Sequence, residues 1–268
     1  LVDCSPAQAY ATLLDEGRYL ASEGTMYRLL EACHGAVRER RDQLTHPAYV
    51  KPELLAERPN ELWSWDVSKL EGPARWAWLS LYVILDVFSR YLVGWTVHYR
   101  GTGAIAEALI GQAAEQQRIE PGTLAVHADR GGAQRSRPVA FLLADLGITR
   151  THSRPYTSTD NPYWEARFKT LKYRPCFPER FETIEQAGAF CRGFFRWYNH
   201  EHRHSGIGLM TPAAVHYGQA KQSRAARARV LEAAYAASPE RFVRGAPKPP
   251  TLPTAAWITK PEAKGVTH

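Results

Sequence analysis

Apolar and polar positions along this chain change period several times, and each change marks a different kind of element. Between residues 5 and 35, Ala9, Tyr10, Leu13 and Leu14, then Met26, Leu29 and Leu30, recur at helical spacing. Ser5-Pro6 and Ser22 are helix starts with Gly17 between them, so two short helices around a turn are predicted. From residue 62 the period falls to two. Trp63, Trp65 and Val67 alternate with Ser64, Asp66 and Ser68, which predicts a strand over 62–69. Two more strand-like runs follow at 76–86 and 91–99, joined by a turn through Phe88-Ser89-Arg90. A helix at 102–118, a strand at 123–128, a helix at 135–146, a strand at 148–152 and a helix at 163–174 continue the order. A longer helix at 183–200 sets Phe190, Phe194 and Trp197 on one face. Strands first, then alternating helices and strands, predict an α/β fold with a mixed sheet covered by helices.

This reading divides the chain into a helix-turn-helix-like segment (1–35), a linker (36–60), a central α/β core (61–218) and a basic helix with a Pro-rich tail (219–268). An ordinary helical hairpin fits the first segment equally well. The linker carries Arg38, Arg40 and Arg41 and three prolines without a clean period. From Gly245 onward the tail is expected to be extended or without fixed structure.

Composition narrows the class. A chain of 268 residues, 44% hydrophobic, can bury a sizeable core. No apolar run approaches the roughly 18–20 residues of a membrane span, and no signal-peptide pattern opens the chain, so a soluble cytoplasmic protein without a membrane partner is expected. Cys4, Cys33, Cys176 and Cys191 lack paired spacing and read as reduced thiols. The net charge of +7 is unevenly spread: residues 1–60 carry seven basic and nine acidic groups, residues 219–268 nine and three. Within 127–180, ten Arg and Lys face five acids, a local field that attracts phosphate.

Three of the acids occupy distinctive places. Asp66 stands on the polar face of a strand anchored by tryptophans. Asp129 follows Leu124-Ala125-Val126-His127-Ala128, at the carboxyl end of a strand, where open α/β sheets place ligands. Glu165 opens a helix after Asp160-Asn161-Pro162. Three converging carboxylates repel unless a cation intervenes, and hard oxygen ligands suit Mg²⁺ or Mn²⁺. Two such ions would hold the attacking and leaving oxygens of a phosphoryl displacement. Taken singly, Asp129 also reads as a turn cap and Glu165 as a surface residue. Lys169 and Lys172, at i+4 and i+7 from Glu165, share its helix face and suit DNA ends or a simple Glu–Lys pair.

The stretches WSWDVSKL (63–70), LYVILDVFSRYLVGW (81–95), VHADRGG (126–132) and STDNPYWEARFKTLKYRP (158–175) resemble the integrase catalytic core of bacterial insertion-sequence transposases of the OrfB type, relatives of retroviral integrases. That family has two Asp and a Glu, with 35 residues between the second Asp and the Glu, as between Asp129 and Glu165 here. Trp197-Tyr198-Asn199, Arg203-His204-Ser205 and Thr211-Pro212 resemble its segment after the core. The resemblance implies a ribonuclease H-like fold with a mixed five-stranded sheet and flanking helices, preceded by the small helical segment. It also implies Asp66, Asp129 and Glu165 holding two Mg²⁺ ions, with Mn²⁺ as a substitute. The activity implied is cleavage of transposon ends and their joining to target DNA by a homo-oligomer. Lys169, Lys172, Arg130 and Arg28 are the expected DNA contacts. Two departures stand out: Trp164 replaces a small residue, and Gly132-Ala133 sits where Gly-Ser is common. The rival readings are a stand-alone nuclease acting on RNA–DNA hybrids and a DNA-binding regulator that has lost catalysis.

Other features read more blandly. His200, His202 and His204 invite a zinc site but fit a polar helix end better. His127 and His152 flank the acidic site, with core packing favoured over support of the acids. Trp76 and Trp78 read as core or sheet surface. Lys221 to Arg229 suit either phosphate contact or a solvated helix face.

Overall fold

Residues 6–32, 53–129, 136–153, 170–172, 174 and 176–260 are described by a computed structural model. The chain divides into two compact units, 1–49 and 50–268. In the first, helices α1 (Pro6–Asp15) and α2 (Glu23–Ala32) are separated by Gly17 at φ +70°, with the Thr25 amide donating to Ser22 Oγ at the start of α2. Both helix starts and the break fall where the serines and the glycine place them.

The second unit is built on a five-stranded sheet of β2 (Leu62–Glu71), β3 (Trp78–Asp86), β4 (Leu92–His98), β5 (Ala125–Ala128) and β6 (Thr149–His152). The strands lie in the order β4-β3-β2-β5-β6. β2, β3 and β4 form an antiparallel meander, whereas β5 and β6 run parallel to β2. This is the mixed sheet expected from strands followed by alternating helices and strands. The meander's second turn uses Asp86: its carboxylate accepts from the Ser89 amide, and Arg90 takes φ +66° to close the bend. Its first turn differs from the sequence reading. Trp76 is not in a strand but in the loop, at φ +71° and 76% exposed, and the loop closes through Gly72 N–H to Ala77 carbonyl.

Helices cover both faces of the sheet. Trp63, Trp65, Tyr82, Ile84, Val126 and Ala128 form one core with α3 (Gly103–Gln116) and α4 (Arg137–Asp145). Leu79, Leu81, Val83 and Leu85 form the other with Leu171, Phe181 and α5 (Ile184–His200). The alternation of β2 and β3 thus sorts side chains to two separate cores rather than to a core and solvent. α3 and α4 meet closely: a Cβ at Gly103 would lie 2.3 Å from Ser136 Oγ, so only glycine fits there. Asn199 fixes α5 to the edge strand, its side chain accepting from Leu92 N–H at 2.9 Å and donating to Leu92 carbonyl at 3.1 Å.

Two short strands were invisible to the periodicity. β1 (Leu54–Ala56), within the expected linker, pairs antiparallel with β7 (Ala256–Ile258), within the expected structureless tail. Ala56, Ala256 and Ile258 are buried with Leu62 and Val87. Between them lie α6 (Pro212–His216), capped by Thr211, and the basic helix α7 (Ala220–Ala237). The tail is tied down along its path. Arg224 donates to Pro250 carbonyl, and Gly208, at φ +68°, abuts Thr251 so closely that a Cβ would sit 2.8 Å from its oxygen.

Candidate active site

The register of the parallel strands brings the first two predicted acids together. Trp65 pairs with Ala128, so the next residues lie at the same level, Asp66 still within β2 and Asp129 just past the end of β5. The alternation then gathers polar groups on one face. Ser64 and Asp66 of β2, His127 of β5 with Asp129 beyond it, and Thr151 of β6 with Ser153 beyond it share this side. Trp63, Trp65, Val126 and Ala128 occupy the opposite face, inside the first core.

Burial pushes Asp66 up to about 7. The Val67 amide, donating to Asp66 Oδ1 at 2.8 Å, opposes that shift, the charge of Asp129 adds to it, and the ammonium of Lys172 pulls it back. A half-buried carboxylate beside another is thus poorly stabilised as an anion by the protein alone. Lys172 lies in a helical segment, 170–172, and its charge acts on Asp66.

Asp129 is braced from behind. Ser153 Oγ donates to Asp129 Oδ1 at 2.6 Å, His127 Nε2 lies 3.2 Å from the same hydroxyl, and His127 Nδ1 lies 2.9 Å from Thr151 Oγ1. His127 and Ser153 are buried, at 0% and 2% exposure. His152 points differently, its Nδ1 lying 3.2 Å from Ala128 carbonyl.

Glu165, Lys169, Arg130 and Trp164 lie outside the described residues, so the site on view comprises Asp66, Asp129 and Lys172. Among the described residues no group of three His, Cys, Asp or Glu is placed to hold a metal. That includes His200, His202 and His204. His202 stacks on Tyr198, His204 Nδ1 accepts from Gly206 N–H, and His200 meets the edge of Tyr91. The Trp197-Tyr198-Asn199 segment is structural too: besides Asn199, Trp197 receives the guanidinium of Arg174 3.9 Å from its ring centre. Arg28 folds back on its own helix, towards Gly24 carbonyl and Thr25 Oγ1. In α7, Arg227 donates to Gly208 and Leu209 carbonyls, so it and Arg224 hold backbone, leaving Lys221 and Arg229 exposed.

The sequence reading missed Ser153 and Thr151. A serine just past a short polar strand carries no signal until the β5–β6 register is known.

Two family models, each described as integrase core domain, match residues 56–158 and 146–212. A curated transposase for insertion sequence element IS904 of Lactococcus lactis is 30% identical over 63% of this chain and 66% of its own length. Transposase InsF for insertion sequence IS3A of Escherichia coli is also 30% identical, over 61% of this chain and 56% of its own length. The chain thus spans somewhat more than half the length of these relatives. Among solved structures, a chain of the simian T-cell lymphotropic virus intasome in complex with a PP2A regulatory subunit matches at 20% identity with a TM-score of 0.49, covering 80% of this chain and 74% of that one. The two domain matches together run from Ala56 to Pro212, over the whole sheet and both acids, and the chain belongs to the integrase core domain family, with insertion-sequence transposases as relatives.

Proposed function

We propose that this chain is a transposase that cuts transposon ends and joins them to target DNA, with Asp66, Asp129 and Glu165 as the catalytic acids. The observation that carries the reading is the placement of Asp66, within β2, at the level where Asp129 follows the end of the adjacent parallel strand β5, with burial and mutual repulsion leaving Asp66 short of anionic stabilisation. Such a pair fits a hard divalent cation: the donors are carboxylate oxygens, and the described cysteines, Cys176 and Cys191, belong to neither strand. Two Mg²⁺ ions are the proposed occupants, with Mn²⁺ as a substitute and Glu165 as the third ligand. When bound, a divalent cation supplies Lewis-acid polarisation of a phosphate oxygen and a stabilising charge for the displacement.

The chain's own residues do the rest. Asp66 and Asp129 hold their carboxylates on one face of a rigid sheet, which fixes the reacting phosphate relative to them. Lys172 offers an ammonium beside the pair, suited to a non-bridging oxygen or a neighbouring phosphate of the DNA end, and Lys169 and Arg130 are proposed to extend that grip. Buried surroundings on the strand side keep bulk water from competing with these charges. The proposed partners are transposon-end and target DNA, engaged by a homo-oligomer; the name of the IS904 relative supports the first, and the local basic excess around 127–180 supports both.

The test incubates the purified chain with labelled DNA ends, a target duplex and Mg²⁺. End cleavage followed by joined products, both lost in Asp66→Asn, is the expected result. Cleavage of RNA–DNA hybrids without joining would favour a nuclease, and DNA binding with no chemistry would favour a regulator.

A further inference from the structure

Behind the second acid lies a chain of polar groups that core packing does not require. Thr151, His127, Ser153 and Asp129 are linked in series by contacts of 2.9, 3.2 and 2.6 Å. Hydrogen counting gives the series a direction. An ionised Asp129 only accepts, so Ser153 spends its single hydrogen on Asp129 Oδ1. The contact between Ser153 Oγ and His127 Nε2 then needs its hydrogen from the ring, making Nε2 the protonated nitrogen. Nδ1 is left as an acceptor for the Thr151 hydroxyl, which has Val126 carbonyl as its other acceptor at the longer distance of 3.4 Å. All donors therefore point towards the carboxylate.

A buried imidazole costs free energy unless both ring nitrogens are hydrogen-bonded, which requires a fixed ring orientation. Here the sheet supplies that orientation. Thr151 sits opposite His127 in the β5–β6 register, and Ser153 is held to β5 by its amide donating to Ala128 carbonyl at 3.1 Å. The hydroxyl is consequently fixed to the same strand end from which Asp129 departs. Engaging Oδ1 from behind restrains the carboxylate's rotation and leaves Oδ2 for whatever binds in front.

Resting on the reading of Asp129 as a metal ligand, we infer that Ser153 and His127 are positioning residues that orient its carboxylate for a divalent cation. Neither touches the cation or the DNA. The loss of such a support characteristically weakens metal affinity by about 10- to 100-fold.

The experiment titrates Mn²⁺ into the full chain, followed by electron paramagnetic resonance, with thermal melting of the metal-free protein alongside. Ser153→Ala is expected to weaken Mn²⁺ binding by about 10-fold or more, with a modest fall in melting temperature because the buried His127 N–H loses its acceptor. Ser153→Thr, which keeps the hydroxyl, should restore most of the affinity. His127→Gln, which keeps an N–H donor, should lose less than His127→Leu. Parental Mn²⁺ affinity in Ser153→Ala would overturn the inference, as would a failure of Ser153→Thr to recover binding when both variants melt alike. Asp129→Asn separates the two levels: if it also binds Mn²⁺ like the parent, or if the parent binds none, the metal-site reading itself falls and takes this inference with it.

Discussion

Two buried or half-buried aspartates face opposite fates in this fold. Asp86 and Asp66 lie on neighbouring strands, and Asp86 pairs with Trp63 just three residues before Asp66. Asp86 is wholly buried and well served: it accepts from Asn60 N–H at 2.7 Å, Ser89 N–H at 2.7 Å and Ser89 hydroxyl at 2.5 Å, with His216 at 3.9 Å. It ties the β3–β4 turn to the entry of β2 and to α6, where Tyr91 stacks on His216. Asp66 is less buried, yet among the described residues the Val67 amide donates to it and Asp129 repels it. A carboxylate surrounded by donors holds structure together; one left poorly served beside a second acid is kept for something the protein binds.

Substitutions should separate the two roles. The largest expected effect is on chemistry: Asp66→Asn should lower strand transfer by about 10³-fold, the order seen when a group acting on developing charge is lost, with the fold intact by circular dichroism. Asp86→Ala should do the reverse in kind, destabilising by about 3 kcal/mol in denaturant titrations because several buried donors lose their acceptor at once. If Asp66→Asn unfolded the chain and Asp86→Ala merely slowed it, the distinction would collapse.

Smaller effects sharpen the contrast. Asn199→Ala leaves the Leu92 amide and carbonyl of the edge strand without their partner, at a cost of about 1–2 kcal/mol measurable as a lower denaturation midpoint. The pH dependence of Asp66 has a definite sign. Its folded value of about 7 exceeds the ordinary 3.8, so between those values the unfolded chain ionises it and the folded chain resists. Stability therefore falls as pH rises through that window. Asp66→Asn removes the loss, so its melting temperature in chelator should exceed the parent's by more at pH 8 than at pH 5. An equal difference at both values would show that Asp66 ionises normally.

Much of this was legible from local pattern. The alternation of Trp63, Trp65 and Val67 with Ser64, Asp66 and Ser68 located β2 and set Asp66 on the correct face. The turn at Phe88-Ser89-Arg90 and the capped helices needed only neighbouring residues. What escaped depends on residues far apart in the chain. β1 and β7 are three residues each, and each takes its meaning from the other across about 200 positions. The role of Asp86 carries no local signal, because His216 and Asn60 approach it only in the folded chain. His127 read as core packing, and it is indeed buried; its hydrogen-bonded series to Asp129 exists only once β6 lies beside β5. Trp76 misled the alternation because an apolar residue at a loop tip obeys no period.

The most direct check is a crystal of the chain soaked in Mn²⁺ and measured at an anomalous wavelength. A peak about 2.0–2.2 Å from one oxygen of Asp66 and one of Asp129 is the expected result. Peaks bound elsewhere, with these two carboxylates unoccupied and turned apart at saturating Mn²⁺, would contradict it.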